Sequence, residues 1–172
     1  QRCDDTGTLL VLDEIQTGFG RTGKLFGFEH FNIVPDILLL AKGMGGGMPI
    51  GAFIANKKVM DSLKENPILG HITTFGGHPV SCAAGLAALN VLLDDRLTES
   101  VSEKERLFRE LLQHPKIKQI RGKGLLLSLQ LSSFEEVEHL SKECMVNGLI
   151  IDWFLHNETA LRIAPPLIIT EA

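Results

Sequence analysis

The chain has 172 residues, a formal charge of -4 and 44% hydrophobic residues, enough apolar material for one large domain or two small ones with a real core. No run of like charge supplies the basic footprint that nucleic acid or an anionic bilayer needs, and no apolar stretch approaches the roughly 20 residues that cross a membrane. The expected partner is a small molecule or a second protein chain, and without a basic-then-apolar leader the expected location is the cytoplasm or the lumen of an organelle.

Residues 1–7 read as the last turn of a helix closed by Gly7. Residues 8–12 are a short, continuous apolar run between a glycine and an acid, which suits a strand buried on both faces, as in a parallel sheet. Residues 37–41 form a second such run, launched by Pro35-Asp36 and stopped by Lys42-Gly43, and residues 50–55 a third, behind Gly45-Gly46-Gly47 and Pro49. Between the first two, Phe26, Phe28 and Phe31 pattern a short helix. This rhythm predicts an α/β sheet. Residues 79–94 are rich in Ala, Gly and Leu and predict a buried helix in close contact with its neighbours. Residues 95–113 are charged and amphipathic, a second helix stopped by His114-Pro115. From residue 117 the texture changes: strands at 117–120 and 125–131 about a glycine turn, a helix over 134–145, and strands near 149–153 and 161–163. That order predicts a small α+β domain, with the boundary in or just after the helix beginning at Asp95, so that residues 1–100 and 101–172 divide. The abrupt start, and a helix start at 168–172 with no helix after it, predict a piece of a longer protein at both ends. Cys3, Cys82 and Cys144 are scattered, fit neither a disulfide framework nor a zinc knuckle, and read as reduced packing residues.

Several residues carry chemistry. Asp13 follows the first strand, at the carboxyl end of a parallel sheet where ligands bind; it is either a functional acid or the cap of the turn after it. Gly18-Phe19-Gly20-Arg21-Thr22-Gly23 satisfies the dinucleotide fingerprint, but Asp13 to Thr17 separate it from the strand and no helix pattern opens at Gly23, so a nicotinamide or flavin site is not expected. Lys42 ends the second strand beside a glycine run that lets a flat ligand approach. Partial burial there would hold its amine in the neutral form that attacks a carbonyl; the alternative is a lysine that snorkels off the sheet end. Thr73-Thr74-Phe75-Gly76-Gly77 precedes Pro79 at a helix start, where hydroxyls and free amides suit a phosphate or simply cap the helix. Arg162, between apolar neighbours on a strand, is either aimed at a carboxylate or faces solvent. The histidines show no metal-ligand spacing, and no metal is expected.

Taken in order, Leu9-Leu10-Val11-Leu12-Asp13-Glu14-Ile15-Gln16-Thr17-Gly18-Phe19-Gly20-Arg21-Thr22-Gly23, Pro35-Asp36 with Ala41-Lys42, Thr73-Thr74-Phe75-Gly76-Gly77, Arg121-Gly122-Lys123-Gly124 and Leu161-Arg162-Ile163-Ala164-Pro165-Pro166 resemble the class III pyridoxal-phosphate (PLP) aminotransferases of the ornithine and acetylornithine type. The resemblance runs along essentially the whole chain. It implies the second half of the large PLP-binding domain of a fold-type I enzyme over residues 1–100, then the small C-terminal α+β domain, without its last helix, over 101–172. It implies that Asp13 pairs with the pyridine nitrogen and keeps it protonated, that Gln16 lies near the ring hydroxyl, and that Lys42 is the Schiff-base lysine and then the general base and acid. Thr74 would reach the phosphate of the partner subunit's cofactor in a homodimer with shared sites, and Arg162 would bind the carboxylate of 2-oxoglutarate or glutamate. The implied reaction is ping-pong amino transfer from an amino acid or ω-amine to 2-oxoglutarate. A mutase or decarboxylase on the same fold would keep Asp13 and Lys42, but Gln16 and the Arg162 strand favour transamination. The family's main phosphate-binding turn and ring-stacking aromatic precede the part resembled here, so this chain alone is expected to hold PLP poorly and to be inactive. Ile151-Asp152-Trp153-Phe154 departs from the commonest subgroups, and the amino donor is not legible.

Overall fold

Residues 1–68 and 70–170 are described in a computed structural model of the chain, which divides into two compact units. The first comprises Gln1–Gly20 and Lys24–Arg96; the second comprises Arg21–Gly23 and the chain from Leu97 onward. Among the described residues, no helix is long and apolar enough to cross a membrane.

The first unit begins with α1 (Arg2–Thr6), which Gly7 closes in the left-handed conformation at φ 66°. Its sheet has three strands in the order β1-β2-β3: β1 (Val11–Asp13), β2 (Ile37–Leu40) and β3 (Ala52–Ala55). β1 and β2 run parallel, with Asp13 opposite Leu39. The Asp36 carboxylate accepts the Leu10 N–H at 2.8 Å, tying the starts of the two strands together. The expected burial of the first strand on both faces is not met. Among the described residues β1 pairs on one side only, and Val11 is 48% exposed. β3 pairs antiparallel to β2, because the link from Leu40 to Ala52 holds a 3-10 turn and no crossover helix, and a parallel return needs such a crossover. The Phe-rich stretch forms the expected short helix, a 3-10 turn at Gly27–Phe31, with Phe26 stacked on Phe28 at 5.7 Å. A short α2 (Lys57–Asp61) follows β3, capped by Asn56, whose side chain accepts the Val59 N–H at 3.0 Å.

α3 spans Pro79–Asp94 with Pro79 in its first turn, as the sequence predicts, but it is not buried. Only Ser81 and Leu92 are buried, and Leu86 is 61% exposed. Its small residues serve one narrow stripe: a Cβ on Gly85 would lie 2.5 Å from the Met44 carbonyl, and one on Gly46 would lie 2.6 Å from the Ala84 carbonyl. Backbone therefore packs on backbone along that stripe, while Val80, Leu86, Val91 and Leu93 of α3 are exposed.

In the second unit, α4 covers Val101–Leu111, shorter than the helix expected over 95–113. Arg96 takes φ 51° just after the end of α3, a left-handed residue that an α-helix cannot run through, and turns fill the interval to Ser100. Next come β4 (Gln119–Lys123), β5 (Leu126–Gln130), α5 (Phe134–Val146), β6 (Asp152–Phe154) and β7 (Asn157–Ile163). The four strands form a fully antiparallel sheet in the order β4-β5-β7-β6. The glycine turn expected between the first two is the Gly124-Leu125 link, since Lys123 is paired with Leu126. Its backbone is tied down: Leu125 N–H bonds the Arg21 carbonyl at 2.9 Å, and Gly124 N–H bonds Glu105 of α4 at 2.5 Å. Gly122 sits at φ 120°, and a Cβ there would come within 2.1 Å of the Leu126 carbonyl, so this position admits glycine alone. Burial pulls the Arg21 guanidinium below its ordinary value; it donates to the carbonyls of Leu125 and Pro165. Leu129, Leu131, Val137 and Leu161 form the core, between one face of the sheet and α5. Of the helix start expected at 168–172, no helix forms up to Thr170, and Glu171 and Ala172 lie outside the described residues.

Candidate active site

β1 and β2 end at the same edge because they are parallel and in register. Asp13 is the last residue of β1, and Lys42 begins the 3-10 turn (Lys42–Gly45) that leaves β2. An acid and an amine are thereby delivered to one carboxyl edge, the position at which α/β sheets bind ligands. Asp13 Oδ1 accepts the Ile15 N–H at 2.9 Å, so the turn-capping role and an exposed second oxygen coexist. No described residue bonds Asp13 Oδ2 or Lys42 Nζ.

Lys42 has φ 49°, and Phe19 beside it has φ 55°. Left-handed backbone at bulky, non-glycine residues is strained, and such residues cluster at functional sites. The two are adjacent in space, since a Cβ on Gly43 would lie 3.2 Å from Phe19 Cβ. Lys42 is exposed, which corrects the expectation of partial burial. The strand ends where Lys42 begins, and the four-residue turn after it is held against α3 by Gly45 and Gly46 rather than by Lys42 itself. Gln16 is exposed three residues beyond Asp13.

The loop bearing Gln16 is organised by a residue to which the sequence assigned no role. Glu14, 4% exposed, accepts the N–H groups of Gly27 at 2.9 Å and Phe28 at 2.7 Å, and the Thr17 hydroxyl. Its own N–H bonds the Leu39 carbonyl at 3.0 Å. Glu14 thus fixes the turn carrying Asp13 and Gln16 to both β2 and the Phe-rich turn. Its partners lie 13 and 14 residues away, so no local pattern announces them. The dinucleotide fingerprint at 18–23 lies within turns, and no helix opens at Gly23.

Thr74 belongs to the first unit, exposed in the turn of residues 74–77, four residues before the His78 cap of α3. Arg162 lies in the second unit, on β7, half-buried, with Nη2 donating to Asp152 Oδ2 of β6 at 2.6 Å. Of the five residues singled out, Asp13 and Lys42 leave the sheet at the same β1–β2 edge, and Gln16 lies on the turn that follows β1. Cys3, Cys82 and Cys144 are free thiols; Cys82, expected to pack, is exposed on α3.

An α/β unit with a lysine and an acid at one sheet edge, followed by an antiparallel α+β unit, defines the class of fold. The chain belongs to the class-III aminotransferase family, whose profile matches residues 1–172. It is 46% identical over 174 residues to an acetylornithine aminotransferase of Caldanaerobacter subterraneus, covering 98% of this chain and 42% of that protein. It is similar to a structure of ornithine aminotransferase from Toxoplasma gondii, described with partial occupancy of PLP at its active site (TM-score 0.88, 37% identity, 98% of this chain and 41% of that one). It is also similar to the acetylornithine aminotransferase of Elizabethkingia anophelis (TM-score 0.86, 37% identity, 98% and 43%). The chain therefore spans about two fifths of the length of these relatives.

The β1–β2 edge fits PLP in its donor set. It offers an amine and a carboxylate oxygen, neither engaged by the described residues. Beside them, Gly47 has open space where a side chain would stand and leaves room for a flat ring, whereas Gly43, Gly45 and Gly46 pack against Phe19, Ile50 and α3.

Proposed function

We propose that this chain supplies the cofactor lysine and the ring-nitrogen acid of a PLP-dependent aminotransferase. The enzyme would move the amino group of an amino acid or ω-amine, ornithine- or acetylornithine-like, to 2-oxoglutarate in a ping-pong cycle. The observation that carries this reading is the shared carboxyl edge of β1 and β2, where Asp13 and a backbone-strained Lys42 both face outward. When bound, PLP supplies an electron sink for the carbon that bears the amine.

The residues divide the work as follows. Lys42 Nζ would hold the cofactor covalently and, once displaced by the incoming amine, would take and return the proton as general base and acid. The Asp13 carboxylate would keep a proton on the pyridine nitrogen, its Oδ1 anchored on the Ile15 N–H. Gln16 would reach the ring hydroxyl, and Thr74 the phosphate of the cofactor held by a second subunit, which makes the active form a homodimer. Arg162 would receive a substrate carboxylate through its planar fork. On this reading residues 1–100 are the second half of the PLP-binding domain and residues 101–172 the small C-terminal domain, and the enzyme works in the cytoplasm.

The test is amino transfer to 2-oxoglutarate by the holoenzyme that contains this chain. Lys42→Ala is expected to abolish it, and borohydride reduction of the native holoenzyme to fix PLP on the peptide carrying Lys42. Transfer that survives Lys42→Ala would overturn the assignment.

A further inference from the structure

In the second unit, Arg121 on β4 is opposite Ser128 on β5, Ser128 is opposite Arg162 on β7, and Arg162 is opposite Asp152 on β6. Directly opposed residues share a sheet face, so these four side chains form one polar row across all four strands. The opposite face carries Ile120, Leu129 and Leu161 into the core, and Trp153, next to Asp152, packs edge-on against Phe134 of α5 at 5.5 Å. That contact fixes β6, and alternation then puts Asp152 on the polar face. Arg121 Nη2 donates to Gln130 Oε1 at 3.1 Å, a partner that carries no charge. Two guanidiniums against one carboxylate leave the row net positive and attractive to an anion.

Asp152 takes one corner of Arg162: Nη2 donates to Oδ2 at 2.6 Å. A guanidinium has five N–H donors, and no described residue bonds any other on Arg162. We propose that Asp152 is the positioning residue of the carboxylate-binding arginine. It tethers Arg162 by one corner and aims the remaining fork, which sets this subsite for a compact planar carboxylate. The proposal rests on the reading that Arg162 receives a substrate carboxylate. A long side chain already held by a cross-strand partner has lost its rotamer freedom at folding, not at binding, and a pre-organised fork binds more tightly. The contrary role is masking, in which Asp152 competes with the substrate for Arg162. The single-corner geometry and the net positive row favour tethering.

The two roles predict opposite signs in the holoenzyme. With Asp152→Ala, tethering raises the KM for the oxo-acid acceptor about tenfold, by more than kcat falls, and leaves the KM of a carboxylate-free alkylamine donor unchanged. Asp152→Asn, which keeps an acceptor oxygen at the same reach, should restore most of the loss and guards against a folding defect in the Ala variant. An acceptor KM that is unchanged or lowered in both variants would overturn the proposal, as would an equal rise for the carboxylate-free amine. Arg162→Lys keeps the charge and loses the fork. If it leaves the acceptor KM unchanged, the carboxylate reading itself fails and the role of Asp152 fails with it. If it raises KM while Asp152→Ala does not, only the role of Asp152 fails.

Discussion

Glu14 shows how a buried charge can organise an exposed site. A carboxylate taken out of water is tolerated when its oxygens meet donors, and Glu14 meets two backbone N–H groups and a hydroxyl. Replacing it by glutamine turns one acceptor into an NH2 group facing an N–H donor, a loss of about 1–3 kcal/mol. Glu14→Gln is therefore expected to lower the unfolding free energy by that amount, read as a lower denaturant midpoint, and to speed hydrogen exchange at the Gly27 and Phe28 amides. Exchange unchanged at both amides would contradict the role. The placement of Asp13 and Lys42 at strand ends was legible because each closes an apolar run, Lys42 with a glycine directly after it. Glu14 stands next to Asp13 and yet was silent, since its meaning depends on a turn that folds back from residues 27 and 28. Asp152 was silent for a similar reason. Its partner is fixed by strand register, and register cannot be read from either strand alone.

At the scale of elements, the helix expected over 134–145 has its start fixed by local bonds. α5 begins at Ser133, whose hydroxyl accepts the Glu136 N–H at 3.3 Å, while the Glu136 carboxylate accepts the Ser132 N–H at 3.0 Å. Ser-x-x-Glu before an apolar run is how a helix start is written. Ser133→Ala should cost about 1 kcal/mol, read as a shift of the urea midpoint. The Ser132 N–H, with Lys116 and Lys118 nearby, holds the Glu136 carboxyl below the usual carboxylate range. A group whose folded value is depressed stabilises the fold above its unfolded value and loses that contribution as pH falls through the folded one. Wild type should thus exceed Glu136→Gln in midpoint at neutral pH, and the two should converge as pH falls below the ordinary glutamate value and through the depressed folded one. A gap that persists in acid would rule out the charge as its source. What the elements did not disclose was coverage. An apolar run such as residues 8–12 states that a strand prefers burial, not how many neighbours it receives, and among the described residues β1 pairs on one side only. The small residues of α3 likewise signalled one close contact, at Gly46 and Gly85, rather than a helix enclosed all round.

At the scale of the whole molecule, the residues that equip the site chemically are also open to water. Lys42, Asp13, Gln16 and Thr74 are all exposed, and so are large apolar side chains on the same unit, among them Phe75 at 78% and Leu86 at 61%. A covalent bond between an amine and an aldehyde hydrolyses where water has access, and active sites gain much of their electrostatic strength by excluding it. The β1–β2 edge supplies the reacting amine and the acid, but the described residues place no wall over Lys42. The relatives are more than twice as long as this chain, which covers 42% of one and 41% of another. We therefore expect the 172-residue polypeptide, mixed with PLP and reduced with borohydride, to be labelled at Lys42 well below one equivalent, whereas the holoenzyme containing it is labelled stoichiometrically. Labelling is read by mass spectrometry of the Lys42 peptide, with Lys42→Ala as the blank. One equivalent on the isolated chain would mean that the sheet edge and its glycine run hold the cofactor unaided, and that water access to Lys42 does not limit its retention.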